Sequence, residues 1–151
     1  MNTTTRRTTW TLAIAIAAFG AGTQFERFVE PAYAAEELKP MLINLIDLKT
    51  DEISKPSATN SRSRQLGATD GFTVGVQEGA TSKHYHAGAH EMQYVVSGTG
   101  SEWLNDKVVQ LKPGDLLIIP KGTHHGGLTP GVRLLNFKNP PQVQGDSVPV
   151  K

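Results

Sequence analysis

The stretch His84-Tyr85-His86-Ala87-Gly88-Ala89-His90-Glu91 places three of the five histidines of a 151-residue chain beside a carboxylate; the other two, His124 and His125, stand together further on. Residues two apart on a strand point to the same side, so an extended segment presents the His84 and His86 imidazoles together. Glu91 lies five residues beyond His86, an odd offset that an unbroken strand would send to the opposite face. Ala87-Gly88-Ala89 permits a tight reversal that lays Glu91 on the neighbouring antiparallel strand, where two imidazoles and one carboxylate converge. The chain has no cysteine. Imidazole and carboxylate donors without thiolate suit one divalent transition metal: iron, manganese, zinc, nickel or copper. A histidine-rich polar loop would explain H-x-H alone, but the carboxylate and a distant fourth donor weigh against it.

The sequence on either side reads as short strands. Met41 to Leu48 alternates apolar residues and is expected to form a first strand, followed by a polar loop from Lys49 to Arg64. Phe72, Val74 and Val76 alternate with Thr73, Gly75 and Gln77 as in a half-buried strand. Met92 to Val96 continues the strand carrying Glu91, with Gln93 and Val95 sharing its parity and Met92, Tyr94 and Val96 facing away. Ser101–Leu104 and Lys107–Leu111 form a hairpin around Asn105-Asp106. Lys112-Pro113-Gly114-Asp115 is a turn, and it launches Leu116-Leu117-Ile118-Ile119. Four apolar residues without alternation imply a strand buried on both faces, which two packed sheets plus an oligomer interface would provide. Val132 to Phe137 is the last expected strand, before an extended tail over 139–151. Short strands separated by Gly/Pro turns make this an all-β sandwich or barrel.

The first 34 residues read as an export signal. Arg6-Arg7 precede an apolar run from Trp10 to Ala21, and Ala32-Tyr33-Ala34 has the small-x-small form of a cleavage site. The paired arginines resemble a twin-arginine signal, with an ordinary secretory signal or a retained anchor as alternatives. The apolar run is too short to span a bilayer, so no stable membrane insertion is expected after cleavage. Of 15 basic and 14 acidic side chains, three and two fall in this leader, which leaves twelve of each in a 117-residue mature chain. A neutral chain of that size fits one domain and is a poor partner for nucleic acid. The division expected is a leader over 1–34, a strand and loop over 35–70, a domain core over 71–138 and the tail. The compartment expected is periplasmic or secreted.

Gly79, His84, His86, Glu91 and Gly98 resemble the first motif of the cupin family, and Gly114, Pro120, Gly122 and His125 resemble the second, in order and with a short segment between them. The resemblance implies a double-stranded β-helix, the cupin jelly-roll barrel, with a metal held in its mouth by His84, His86, Glu91 and His125. Two positions depart from the pattern. Four residues separate Gly79 from His84 where the family has five, and Thr129 stands where asparagine is common. Neither is a ligand position.

The other histidines are candidates for supporting roles. His90 and His124 each neighbour a ligand and, with Gln93 and Val95, form the candidate second shell or pocket. Tyr85, Tyr94 and Trp103 are candidate pocket or core residues, and Lys83, Lys121 or Arg133 could meet a substrate carboxylate. The family hosts enzymes and binding proteins alike. One expectation is therefore an enzyme of dioxygenase, isomerase or lyase type acting on a small organic molecule chelated to the metal. The other is a non-catalytic periplasmic module that holds a small ligand or the metal. A homodimer is expected from the doubly apolar strand.

Overall fold

Ten short strands and one helical turn make up residues 38–151, the part of the chain that the computed structural model describes; the expected leader and its cleavage site lie outside it. In chain order they are α1 (Thr50–Ile53), β1 (Arg62–Ala68), β2 (Thr73–Glu78), β3 (His84–His86), β4 (His90–Ser97), β5 (Gly100–Leu104), β6 (Lys107–Leu111), β7 (Leu116–Ile119), β8 (His125–Gly127), β9 (Arg133–Asn139) and β10 (Ser147–Pro149). They form two five-stranded sheets, β1-β2-β9-β4-β7 and β10-β3-β8-β5-β6, and every adjacent pair is antiparallel. This is the expected jelly-roll barrel of the double-stranded β-helix class.

The turns follow from residues that accept unusual backbone angles. Gly79, Gly98, Gly114 and Gly122 all have positive φ. Gly98 has a second reason to lack a side chain, since a Cβ there would fall 1.9 Å from the Gly131 carbonyl oxygen. The β5–β6 hairpin turns at Asn105-Asp106, with Asn105 itself at positive φ.

One end of the barrel interior is apolar. Val95, Leu111, Leu117, Ile119, Val132 and Leu134 form its core, with Leu104 and Val109 packed against them. Within the single chain β7 buries one face: Leu117 and Ile119 enter the core, while Leu116 and Ile118, on the face expected to meet a second copy, are each 59% exposed. Met92 and Tyr94 lie opposite Ile118 and Leu116 on β4 and are exposed with them, so the outer face here is an apolar patch.

The N-terminal part of the described chain differs from its expectation. Residues 41–48 form no strand, and 45–47 make a turn. Their carbonyls bond to a side chain: Arg133 Nη1 donates to the Leu45 and Leu48 oxygens at 2.8 and 2.7 Å. Arg133 Nε and Nη2 donate to Glu78 Oε2 at 2.8 and 2.6 Å, so its charge is paired on the sheet. The alternation in 41–48 therefore reflects a segment laid against the barrel's outer face. The expected polar loop over 49–64 contains α1, which packs against β1 and β2, and the start of β1. The expected tail is not free either, because β10 pairs with β3.

Replacing Arg133 with alanine strands Glu78 and releases the 45–48 carbonyls. Loss of a partly buried pair predicts a destabilisation of about 3 kcal/mol by urea unfolding, with residues 38–48 becoming protease-sensitive. An unchanged midpoint would show that Arg133 does not hold this segment.

Candidate metal centre

His84 and His86 lie on β3, two residues apart, and His84 is paired in register with His125 on β8. All three therefore belong to one sheet, whereas Glu91 projects from β4 of the other. The expected hairpin between β3 and β4 is not formed. Ala87-Gly88-Ala89 instead turns the corner from one sheet to the other, with Ala89 buried and the Gly88 N–H held by Asp146 Oδ1. Glu91 thus faces the histidines across the barrel. One ligand atom from each of the four residues lies within 4.8 Å of the others, and His86, Glu91 and His125 are each no more than 2% exposed.

Each imidazole is aimed by an oxygen behind it. His84 Nδ1 meets the Ser82 carbonyl at 2.8 Å, His125 Nδ1 the Thr123 carbonyl at 2.9 Å, and His86 Nδ1 the Asp146 carboxylate at 2.9 Å. A carbonyl or carboxylate can only accept, so each Nδ1 carries a hydrogen and each neutral ring keeps its Nε2 lone pair free. Glu91 Oε2 stands 3.0 Å from His86 Nε2 and 3.1 Å from His125 Nε2. Lone pairs cannot face one another at that range without positive charge between them. Either protons on both rings or one cation must supply it, and three imidazole nitrogens with one carboxylate oxygen are a donor set that fits a divalent transition ion.

The ionisation of the site follows the same geometry. Burial works to raise the Glu91 pKa, but the hydrogen bonds from His125 and His86 and the Lys138 ammonium outweigh it and hold the carboxyl well below the usual range. Burial also opposes the charge on His125, yet its bonds to Glu91 and to the Thr123 carbonyl raise its pKa. His84 goes the other way, lowered by burial despite the Ser82 carbonyl.

Three residues around the ligands escaped the sequence reading. Asp146 comes from just before β10, 60 residues beyond His86. Lys138 sits opposite Glu91 on β9, its Nζ 3.9 Å from Glu91 Oε1. Glu102 points inward from β5 and is 1% exposed. With its amide nitrogen turned toward that carboxyl, Gln93 donates to Glu102 Oε2 at 2.9 Å and to Oε1 at 3.3 Å. Burial pushes the Glu102 carboxyl up to about 7, the nearby Glu91 charge adding to the effect while His125 and Gln93 oppose it.

Among the residues singled out in the sequence, Gln93 and Val95 face the interior with Glu91 and are buried. His90 and His124 do not join the cluster. His90 is exposed and accepts from the Lys121 N–H at 3.3 Å, and the His124 ring lies 5.5 Å from that of Tyr85. Lys83 Nζ lies 5.8 Å from the centre of the Trp103 ring, and Arg133 is bound to Glu78.

Residues 72–137 match the family model described as a cupin domain. The chain thus contains a cupin domain. No curated protein matches it in sequence, but solved structures match the cupin fold. A single-substitution variant of Streptomyces Pac13 with uridine is 19% identical, with a TM-score of 0.58 over 68% of this chain and 88% of that one; Pac13 is described as a nucleoside dehydratase. The polyketide cyclase RemF from Streptomyces resistomycificus is 24% identical, with a TM-score of 0.57 over 75% and 87%. A Klebsiella pneumoniae protein with a double-stranded β-helix domain is 21% identical, with a TM-score of 0.56 over 69% and 96%.

Two predictions follow from the groups behind the ligands. In Asp146→Asn a single oxygen remains for two donors. If it stays on the Gly88 N–H, the amide nitrogen faces His86 Nδ1 and moves the ring hydrogen to Nε2. Affinity for a divalent ion should then fall roughly 10–100-fold, and the ¹⁵N shifts of His86 in metal-free protein should exchange their pattern. Unchanged affinity and shifts would remove Asp146 from this role.

Glu102 predicts a pH effect. Its folded pKa is raised above the unfolded value of 4.5 to about 7, so the stability it contributes is present below the unfolded value and is lost as pH rises through that window. The loss is on the order of 3 kcal/mol. In metal-free protein Glu102→Gln should therefore gain on the native chain by up to that amount between about pH 5 and about pH 8 in urea unfolding. Parallel profiles would show that Glu102 is already ionised when buried.

Proposed function

We propose that this cupin is an exported enzyme that holds one divalent transition metal through His84, His86, Glu91 and His125 and acts on a small organic molecule bound beside it. The observation that carries the reading is the aiming of three imidazoles: each Nδ1 is engaged by an oxygen, which leaves the Nε2 atoms to meet a buried carboxylate from the opposite sheet. When bound there, the ion would supply Lewis acidity or oxygen activation, chemistry of the dioxygenase, isomerase or lyase kind. Glu91 and the histidines would hold it, Asp146 would orient His86, and Lys138 would balance the Glu91 charge. Glu102, kept protonated to about neutral pH and held by Gln93, gives the interior a group that can donate a hydrogen. That structures of the same fold include a nucleoside dehydratase and a polyketide cyclase favours chemistry on small molecules.

The same proposal places the protein outside the cytoplasm as a homodimer. The Arg6-Arg7 leader with its Ala32-Tyr33-Ala34 site supports export. The apolar outer patch of Met92, Tyr94, Leu116 and Ile118 supports pairing with a second copy.

Protein recovered from the periplasm or medium, without chelator or affinity metal, tests all parts together. It should begin at or near Ala35, sediment as a dimer and carry about one transition-metal ion per chain. His86→Ala and Glu91→Ala should lose most of the ion, while His124→Ala keeps it. An intact Met1, a monomer, or equal metal loss at His124 and His125 would each remove the corresponding part. Substrate-dependent oxygen uptake would single out the dioxygenase, and saturable ligand binding without product would make the protein a binding module.

A further inference from the structure

The inner face of the sheet changes character across its width. On β4, β7 and the start of β9 it carries Val95, Leu117, Ile119 and Leu134, the apolar core. On the β1-β2-β9 side the register aligns Gln65 with Gly75, Gly75 with Asn136 and Thr73 with Lys138, and apart from the small Ala68 opposite Thr73 the inward side chains of these rows are polar. A cavity of about 150 Å³ opens there, lined among others by Gln65, Thr73, Gln77, Asn136, Lys138 and Gln142. Lys138 stands between this cavity and the candidate ligands, opposite Glu91 and 3.9 Å from its Oε1.

Apolar residues were available for this wing. Phe72, Val74 and Val76 alternate along β2, but they occupy its outer side, where Val76 is fully buried. The polar side of the strand is the one turned into the barrel. Polar groups inside a barrel cost free energy unless something bonds to them. Those present already hold one another in place: Asn136 Nδ2 donates to Gln77 Oε1 at 3.3 Å, and Lys138 Nζ to Gln142 Oε1 at 2.6 Å. An ammonium has three hydrogens and a primary amide three or four bonding positions, so capacity remains for a guest.

We propose that this cavity is the substrate recess and that it takes a short hydroxy- or keto-carboxylate, its carboxylate on Lys138 and its other oxygens on the amides of Asn136, Gln142 and Gln77. The proposal rests on the metal-centre reading above for the chemistry, though not for the binding. The charge selects an anion and the amides select oxygen substituents. Size limits the rest: cavities of about this volume hold a benzene-sized guest, which sets an upper range of roughly six to ten non-hydrogen atoms. Among the described residues no aromatic side chain lines the recess, so a flat phenolic ring or a nucleobase would find nothing there to stack on.

Calorimetric titration of the protein, loaded with the metal it carries as purified, tests this with L-malate, malamide and protocatechuate. Malate should bind best, and Lys138→Gln should weaken it about tenfold when both proteins are compared at equal metal occupancy, the cost of one charge-assisted contact. Lys83→Gln, at the cation over Trp103, should leave malate binding as it was. Equal malate affinity in Lys138→Gln overturns the proposal. So does protocatechuate or malamide binding as tightly as malate to the native protein, a comparison that needs no folded variant. Malate bound through Lys138 by a protein that carries no metal would sustain the recess while removing the metal centre. A metal-loaded protein indifferent to malate would do the reverse.

Discussion

Glu91 Oε2 and the Nε2 atoms of His86 and His125 approach to about 3 Å from opposite sheets. Such a contact is stable only with positive charge in the middle, and a buried carboxylate deprived of it would cost several kcal/mol. The two sheets are therefore joined at this point by a charge that neither supplies as a neutral group. The in-register pairing of His84 with His125, the small-residue corner at Ala87-Gly88-Ala89 and the acceptors behind each Nδ1 all serve to bring these atoms together. A divalent ion would replace two protons here and add His84, whose burial already disfavours its protonated form.

From this point the interior divides. The register row Thr73, Lys138, Glu91, Ile119 runs from hydroxyl through ammonium and carboxylate to an aliphatic side chain. On its apolar flank the barrel is filled and stabilises the fold. On its polar flank it stays open. The division also explains the unusual orientation of β2, whose valines face outward under the N-terminal segment. That segment is held by Arg133, whose guanidinium bonds to Glu78 and to three carbonyls of residues 45–48. Closing the outer face with residues outside the barrel leaves the inner face free to be polar.

The same division sets what could be read from the sequence. The H-x-H pair, Glu91 and the turn glycines were legible because their constraints are local: a two-residue period, or a backbone angle that disfavours a side chain. β1 was not, because Arg62-Ser63-Arg64-Gln65-Leu66-Gly67-Ala68 has no apolar alternation to mark it. Its inward residues face a polar recess, so the usual signal is absent where the barrel opens. Met41 to Leu48 misled for the opposite reason, since alternating apolar residues can cover a sheet without pairing in one. The β3–β4 connection was read as a hairpin because the reversal of direction is local, while the change of sheet is set by partners at β8, β9 and β10. Asp146, Lys138 and Glu102 carry no local pattern. Only the long-range register brings them to the ligands.

Among these, Asp146 ties the candidate metal ligands to the C-terminal strand. β3 is three residues long and is held by a single register pair to β8, so it depends on β10, which pairs with all three of its residues. The Asp146 carbonyl accepts from Ala87 N–H at 2.9 Å, its carboxylate holds the Gly88 N–H and His86 Nδ1, and the Val150 N–H reaches back to the Lys83 carbonyl at 3.0 Å. The strand that presents two of the four candidate ligands is thus completed by the C-terminal segment. An ion that favours the aimed form of His86 would then also favour the pairing of β10 with β3, since binding and local structure that share one residue's geometry are reciprocally linked.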